Sequence, residues 1–190
     1  MSSRTAITPT CSAVAEALHD PLPADLAKPT PCAQLDLGAL VAHVVGTTTA
    51  MSRLGRGEPL DPEDPWGGGR ADGDWGATLR ENLRAIAEGW SREEPWEGTV
   101  RAGSTEMPAT MVGEMTLIEV AVHGWDLARA LGRGVTVPVE VAQEILRAVG
   151  STAELGRQMG AYGPAVPVPD DAPAFDRALG AAGRDPHWAS

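Results

Sequence analysis

The stretch EVAVHGWDLARALG, residues 119–132, carries a carboxylate and an imidazole four positions apart. On an α-helix that spacing puts Glu119 and His123 on one face, and Asp126 continues it. Leu117, Ile118, Val120, Ala121, Val122 and Leu127 surround them, so the helix is expected to be buried nearly all round. An ionised glutamate left there without a partner is unfavourable by an amount on the order of several kcal/mol. Two arrangements offset that penalty. One is a protein partner, an arginine for Glu119 and a carbonyl for His123. The other is a divalent cation, which accepts a carboxylate and a neutral imidazole together.

His43 lies in LVAHVVG, again among apolar residues. By itself it reads as a packed core histidine. With Glu119 and His123 it makes a two-histidine, one-carboxylate set on two helices, the way helical bundles build metal sites. Three protein ligands leave coordination positions open, the catalytic pattern rather than the structural one. Such a metal can hold a small thiol as its thiolate, for attack on an epoxide, an activated alkene or a halide-bearing carbon. It can instead activate water for hydrolysis. The same ligand set is the facial triad of non-haem iron oxygenases, though those usually ride on β scaffolds. A non-catalytic, metal-dependent binding or regulatory module would need the same three residues.

The surrounding residues have two readings each. Asp126 either orients a ligand imidazole or binds a neighbouring arginine. Thr47, one turn after His43, and Met115 and Thr116, one turn before Glu119, line a pocket or simply pack. Arg80 and Arg84 share a helix face that either clamps a substrate carboxylate or stays solvated. Trp125 points off the metal face and reads as a core anchor. Cys32 has no base close to it in sequence and reads as a structural thiol. The GGG at 67–69 lacks the strand and the GK[ST] of a phosphate loop, so it reads as a flexible turn and a candidate lid.

The elements that position these residues are helical. Apolar spacing predicts helices at about 8–19, 37–56 behind an Asp36 N-cap, 74–92, 108–131 and 138–160, with a tail helix in 174–183. Leu79, Leu83, Ile86 and Trp90 form the buried stripe of the third. Pro108 has the character of a first helical residue, and Gly132 stops the helix it opens. Four prolines make 20–32 a connector, and 57–73 is an acidic Gly/Pro loop. Only 93–108 offers β structure, a turn with a short hairpin. The fold class is therefore all-α, a four-helix bundle with short extra helices in one domain, 1–190, with a tail, 164–190, packing on it.

Composition narrows the partners. The 190 residues suit one domain with a core large enough to fold without metal or disulfide staples. The net charge of −11 repels phosphate backbones and argues against nucleic acid. No apolar run approaches the ~20 residues of a membrane helix. MSSRTAITPT has no signal-peptide core, and two cysteines make no disulfide framework, so the cytoplasm is the expected compartment. A small-molecule substrate is the expected partner, and a homodimer stays open.

PTPC at 29–32, LVAHVVG at 40–46, EVAVHGWDLARALG at 119–132 and FDRALGAAGRDPHW at 175–188 occur in an order that resembles one family. It is the DinB-like metal-binding bundles, in the branch related to the N-terminal domain of mycothiol-dependent maleylpyruvate isomerase. HGWDLA is the most specific element. The resemblance implies a four-helix bundle and a divalent metal on His43, Glu119 and His123, commonly zinc, with nickel or iron as alternatives. It also implies a low-molecular-weight thiol such as mycothiol as cofactor or co-substrate, hence a thiol transferase or isomerase. The larger isomerase has a separate C-terminal domain where this chain has a short tail, so the isomerase reaction itself is not carried over.

Overall fold

The computed structural model describes residues 1–18, 26–66 and 74–189. Among the described residues, six α-helices and one short 3₁₀ turn (Glu94–Trp96) account for 59%, and the only sheet is a two-stranded antiparallel hairpin. The helices are α1 Ser3–Ala17, α2 Leu37–Gly55, α3 Trp75–Trp90, α4 Ala109–Ala130, α5 Val139–Gln158 and α6 Ala174–Ala181. The hairpin pairs β1 Thr99–Ala102 with β2 Thr105–Pro108 in the register Thr99↔Pro108 to Ala102↔Thr105. The candidate lid at 67–69 and the first half of the proline connector lie outside the described residues.

α1 begins earlier than apolar spacing predicts. Ser2 and Thr5 cap each other reciprocally: the Thr5 amide donates to Ser2 Oγ, and the Ser2 amide donates to Thr5 Oγ1. That capping box starts the helix ahead of Pro9, which then sits inside it. Asp36 caps α2 as predicted, its Oδ1 accepting from the Ala39 amide at 2.8 Å. Pro108 stands one place before the first helical residue, with an extended ψ of 135°, because it also closes β2. Gly132 at φ 72° ends α4.

α1, α3, α2 and α4 close a ring in that order, each packed on the next. α5 covers the outside of α1 and α4, and α6 packs on α5. Ile7, Val14, Leu40, Leu83, Ile86, Leu117, Ala121 and Leu127 meet in the core. α2 and α3 touch backbone to backbone: a Cβ on Gly89 would lie 2.6 Å from the Gly55 carbonyl oxygen. Trp90 closes that crossing by donating Nε1–H to the Met51 carbonyl at 2.8 Å. α1 approaches α4 as closely, since a Cβ on Gly124 would stand 2.5 Å from Val14 Cγ2. Those crossings set the spacing at which α2 and α4 face one another.

No helix among the described residues is long and apolar enough to cross a membrane.

Candidate metal centre

His43 comes from the middle of α2, and Glu119 and His123 from successive turns of α4. α2 and α4 pack together, and these three side chains meet in their seam. Glu119 Oε2 lies 3.3 Å from His43 Nε2 and 3.8 Å from His123 Nε2. The two imidazoles stand edge to face, ring centres 4.8 Å apart. Exposure falls across the set: 39% of the His43 side chain, 25% of Glu119 and 12% of His123. The centre therefore opens to solvent on the His43 side.

One atom is out of place for an ordinary ion pair. Glu119 Oε2 is buried and has no hydrogen-bond partner. His43 is close enough to attract it, but no hydrogen bond of good geometry reaches this oxygen. A buried carboxylate oxygen without a donor is strongly unfavourable. A cation removes the difficulty. Tetrahedral bonds of about 2.1 Å hold ligand atoms about 3.4 Å apart, close to the spacings seen here. Imidazole, imidazole and carboxylate also suit zinc or a neighbouring divalent metal.

Electrostatics in the metal-free state follow the same contacts. The Glu119 carboxylate beside it, 3.3 Å away, holds His43 above its ordinary pKa, against burial, which lowers it. Burial pushes Glu119 up, but His123 and His43 outweigh it and hold the carboxyl below the usual range.

Behind the centre, Asp126 contacts an imidazole and a guanidinium at once. Its Oδ2 is 3.0 Å from His123 Nδ1 and 3.0 Å from Arg184 Nη2. Asp126 is fully buried and Arg184 nearly so. With Nδ1–H donating to the carboxylate, His123 turns the lone pair of Nε2 toward Glu119, the tautomer a metal ligand needs. Arg184 follows α6 and also donates to the Ala182 carbonyl at 2.7 Å. Sequence reasoning did not single it out. Nothing in GRDPHW marks its arginine as buried, because its partner Asp126 lies 58 residues away in the chain.

The other candidates divide. Met115 lines a cavity that also touches Glu119. Thr47 is buried and donates to the His43 carbonyl at 3.0 Å, bracing the turn that carries His43. Thr116 is fully buried and donates to the Val112 carbonyl, so it faces the core. Trp125 is a core residue, with the Arg129 guanidinium 5.9 Å over its ring. Arg80 donates to the Leu18 carbonyl, and Arg84 pairs with Glu88 at 2.9 Å on an exposed face. Neither arginine is brought to the centre. Cys32 is: its sulfur is within 4.8 Å of ligand atoms of both His123 and Asp126. Chain distance hid that neighbour, because the Cys32 loop and α4 meet only in the fold. Burial pushes the Cys32 thiol up, with Arg184 pulling it back.

The profile of the mycothiol maleylpyruvate isomerase N-terminal domain family matches residues 7–128, which include all three converging side chains. The chain belongs to that family. Members of the wider DinB-like group typically bind metal. Uncharacterized protein MT0763 of Mycobacterium tuberculosis strain CDC 1551 / Oshkosh and uncharacterized protein Rv0738 of strain H37Rv are relatives. Each is 29% identical over 148 residues, covering 78% of this chain and 75% of the relative. No solved structure matches significantly. The family match ends just past Asp126, so Arg184 reaches the centre from outside it.

Proposed function

We propose that this mycothiol maleylpyruvate isomerase N-terminal domain family member holds one divalent metal on His43, Glu119 and His123 and uses it in thiol-dependent transfer or isomerisation. The observation that carries the reading is Glu119 Oε2, buried without a hydrogen bond between two imidazole nitrogens. When bound, the ion supplies a Lewis-acid position that lowers the pKa of a small thiol and keeps it as thiolate at neutral pH.

The chain's own residues do the rest. His43 and His123 present neutral nitrogens, and Glu119 offsets part of the positive charge. Asp126 keeps a proton on His123 Nδ1, and Arg184 neutralises Asp126, so His123 stays oriented. The more exposed flank at His43 admits a thiol from solvent. In transfer, sulfur forms a bond to an electrophilic carbon. The leaving group departs with the electron pair, or an epoxide or alkene takes up a proton.

The test is elemental analysis of wild-type protein purified without a metal-affinity column, beside His43→Ala and Glu119→Ala. About one metal per chain is expected in the wild type and loss in both variants. Consumption of an electrophile such as benzyl chloride by the loaded protein should require mycothiol. A wild type that takes up no divalent ion, or a loaded protein with no thiol dependence, ends the proposal.

A further inference from the structure

A cavity of about 130 Å³ lies between α4, α5 and the loop that follows α5. Met111, Met115, Leu155, Met159 and Tyr162 line it, and Glu119 is the only charged residue among its lining. It therefore meets the metal centre at the residue with the unsatisfied oxygen.

Three features suit an uncharged apolar guest. The volume is close to that of the engineered apolar cavity of about 150 Å³ that binds benzene. Three of the protein's six methionines are in the wall, and thioethers are polarizable and adapt to the shape of what they touch. Leu155 and Met159, 45% and 75% exposed, are two of the few large apolar side chains left in solvent, and both belong to this cavity. The far wall is built by close packing: a Cβ on Gly156 would lie 2.7 Å from Tyr162 Cδ2, so the ring sits directly on α5.

We propose that this cavity receives the electrophilic co-substrate, and that the substrate class is small, uncharged and apolar, up to about the size of one aromatic ring. This rests on the thiol-transfer reading above. No arginine, lysine or histidine is in its lining to pair with a substrate carboxylate. A hydroxyl-rich thiol of the mycothiol type would lose hydration against methionine side chains, so it stays on the solvent side at His43. A benzylic halide illustrates the chemistry. The thiolate sulfur forms a C–S bond as the C–Cl bond breaks, and chloride leaves with the electron pair.

The experiment uses the full chain, metal-loaded, carrying ¹³C-methyl methionine. Toluene, an unreactive analogue of benzyl chloride, is the probe. The methyl signals of Met111, Met115 and Met159 are expected to shift saturably, while those of Met51 in the core and Met107 on β2 stay. Leu155→Trp, at an exposed position, is expected to abolish those shifts, keep the metal, and raise KM for benzyl chloride by about tenfold or more. Absence of saturable shifts, shifts spread over all methionines, or their persistence in L155W overturns the site. Localised toluene binding without thiol-dependent turnover keeps the apolar site and overturns the transfer reading. Turnover without toluene binding does the reverse.

Discussion

Arg184 lies against Asp126 with both side chains buried, Nη2 to Oδ2 at 3.0 Å. Asp126 in turn faces His123 Nδ1 at 3.0 Å. A segment that follows the last helix thus holds an imidazole of α4 through one carboxylate.

Arg184→Met tests that link. It leaves Asp126 buried with only His123 for company, and breaking a buried pair on one side is worth about 3–5 kcal/mol. Urea unfolding of the metal-free protein should show a loss of that order. Metal affinity, measured by chelator competition, should fall roughly 10–100-fold, the usual effect of removing an outer partner of a ligand histidine. Arg184→Lys keeps the charge but not the fork, so it should recover part of both. Wild-type unfolding and wild-type affinity in R184M would show the link to be idle.

The pH dependence has a definite sign. In the metal-free protein His43 sits above its ordinary value of 6.5, so its stabilising contact is full below 6.5 and fades as pH rises through the raised value. Glu119 sits below 4.5, so its contribution is present above 4.5 and fades as pH falls through the lowered value. Wild type should therefore exceed His43→Gln in Tm most in the window between, near pH ~5.5, and least at about pH 9. Metal affinity should rise over the same range, since protons compete for the imidazoles. A Tm difference that grows with alkalinity in the metal-free pair would contradict the assignment.

Gly124 gives a packing test next to the centre. A methyl there would stand 2.5 Å from Val14 Cγ2, so Gly124→Ala forces α1 away from α4. Overpacking of this kind is destabilising by about 1–3 kcal/mol. Adding Val14→Ala should restore part of the loss, with non-additivity read from thermal unfolding of the four proteins in a double-mutant cycle.

The two thiols should differ in reactivity. Burial pushes Cys11 to about 12, and the side chain is almost fully enclosed. Cys32 is raised too, but it is only half-buried. Iodoacetamide followed by mass spectrometry should label Cys32 first and Cys11 only on unfolding, because the thiolate is the nucleophile. Equal rates in the native protein would mean that α1 opens locally.

Most of the helical frame was legible in the chain. The stripe Leu79, Leu83, Ile86 and Trp90 announced α3, and Asp36 announced the start of α2, because helix period and N-caps are local properties. Glu119 and His123 were legible as one face for the same reason. α1 starts at Ser3 rather than near residue 8 because a reciprocal Ser2–Thr5 cap begins the helix ahead of the apolar stripe that marks it. What only the tertiary structure decided is convergence across elements. His43 reaches Glu119 because α2 and α4 are neighbours in the ring, Cys32 reaches His123 because its loop folds onto α4, and Arg184 reaches Asp126 from the chain's far end. Sequence periodicity tells each helix which face to bury, but not which partner it is buried against. That choice comes from close crossings such as Gly124 on Val14 and Gly89 on Gly55, where backbones approach and side chains from distant segments are pressed into one seam.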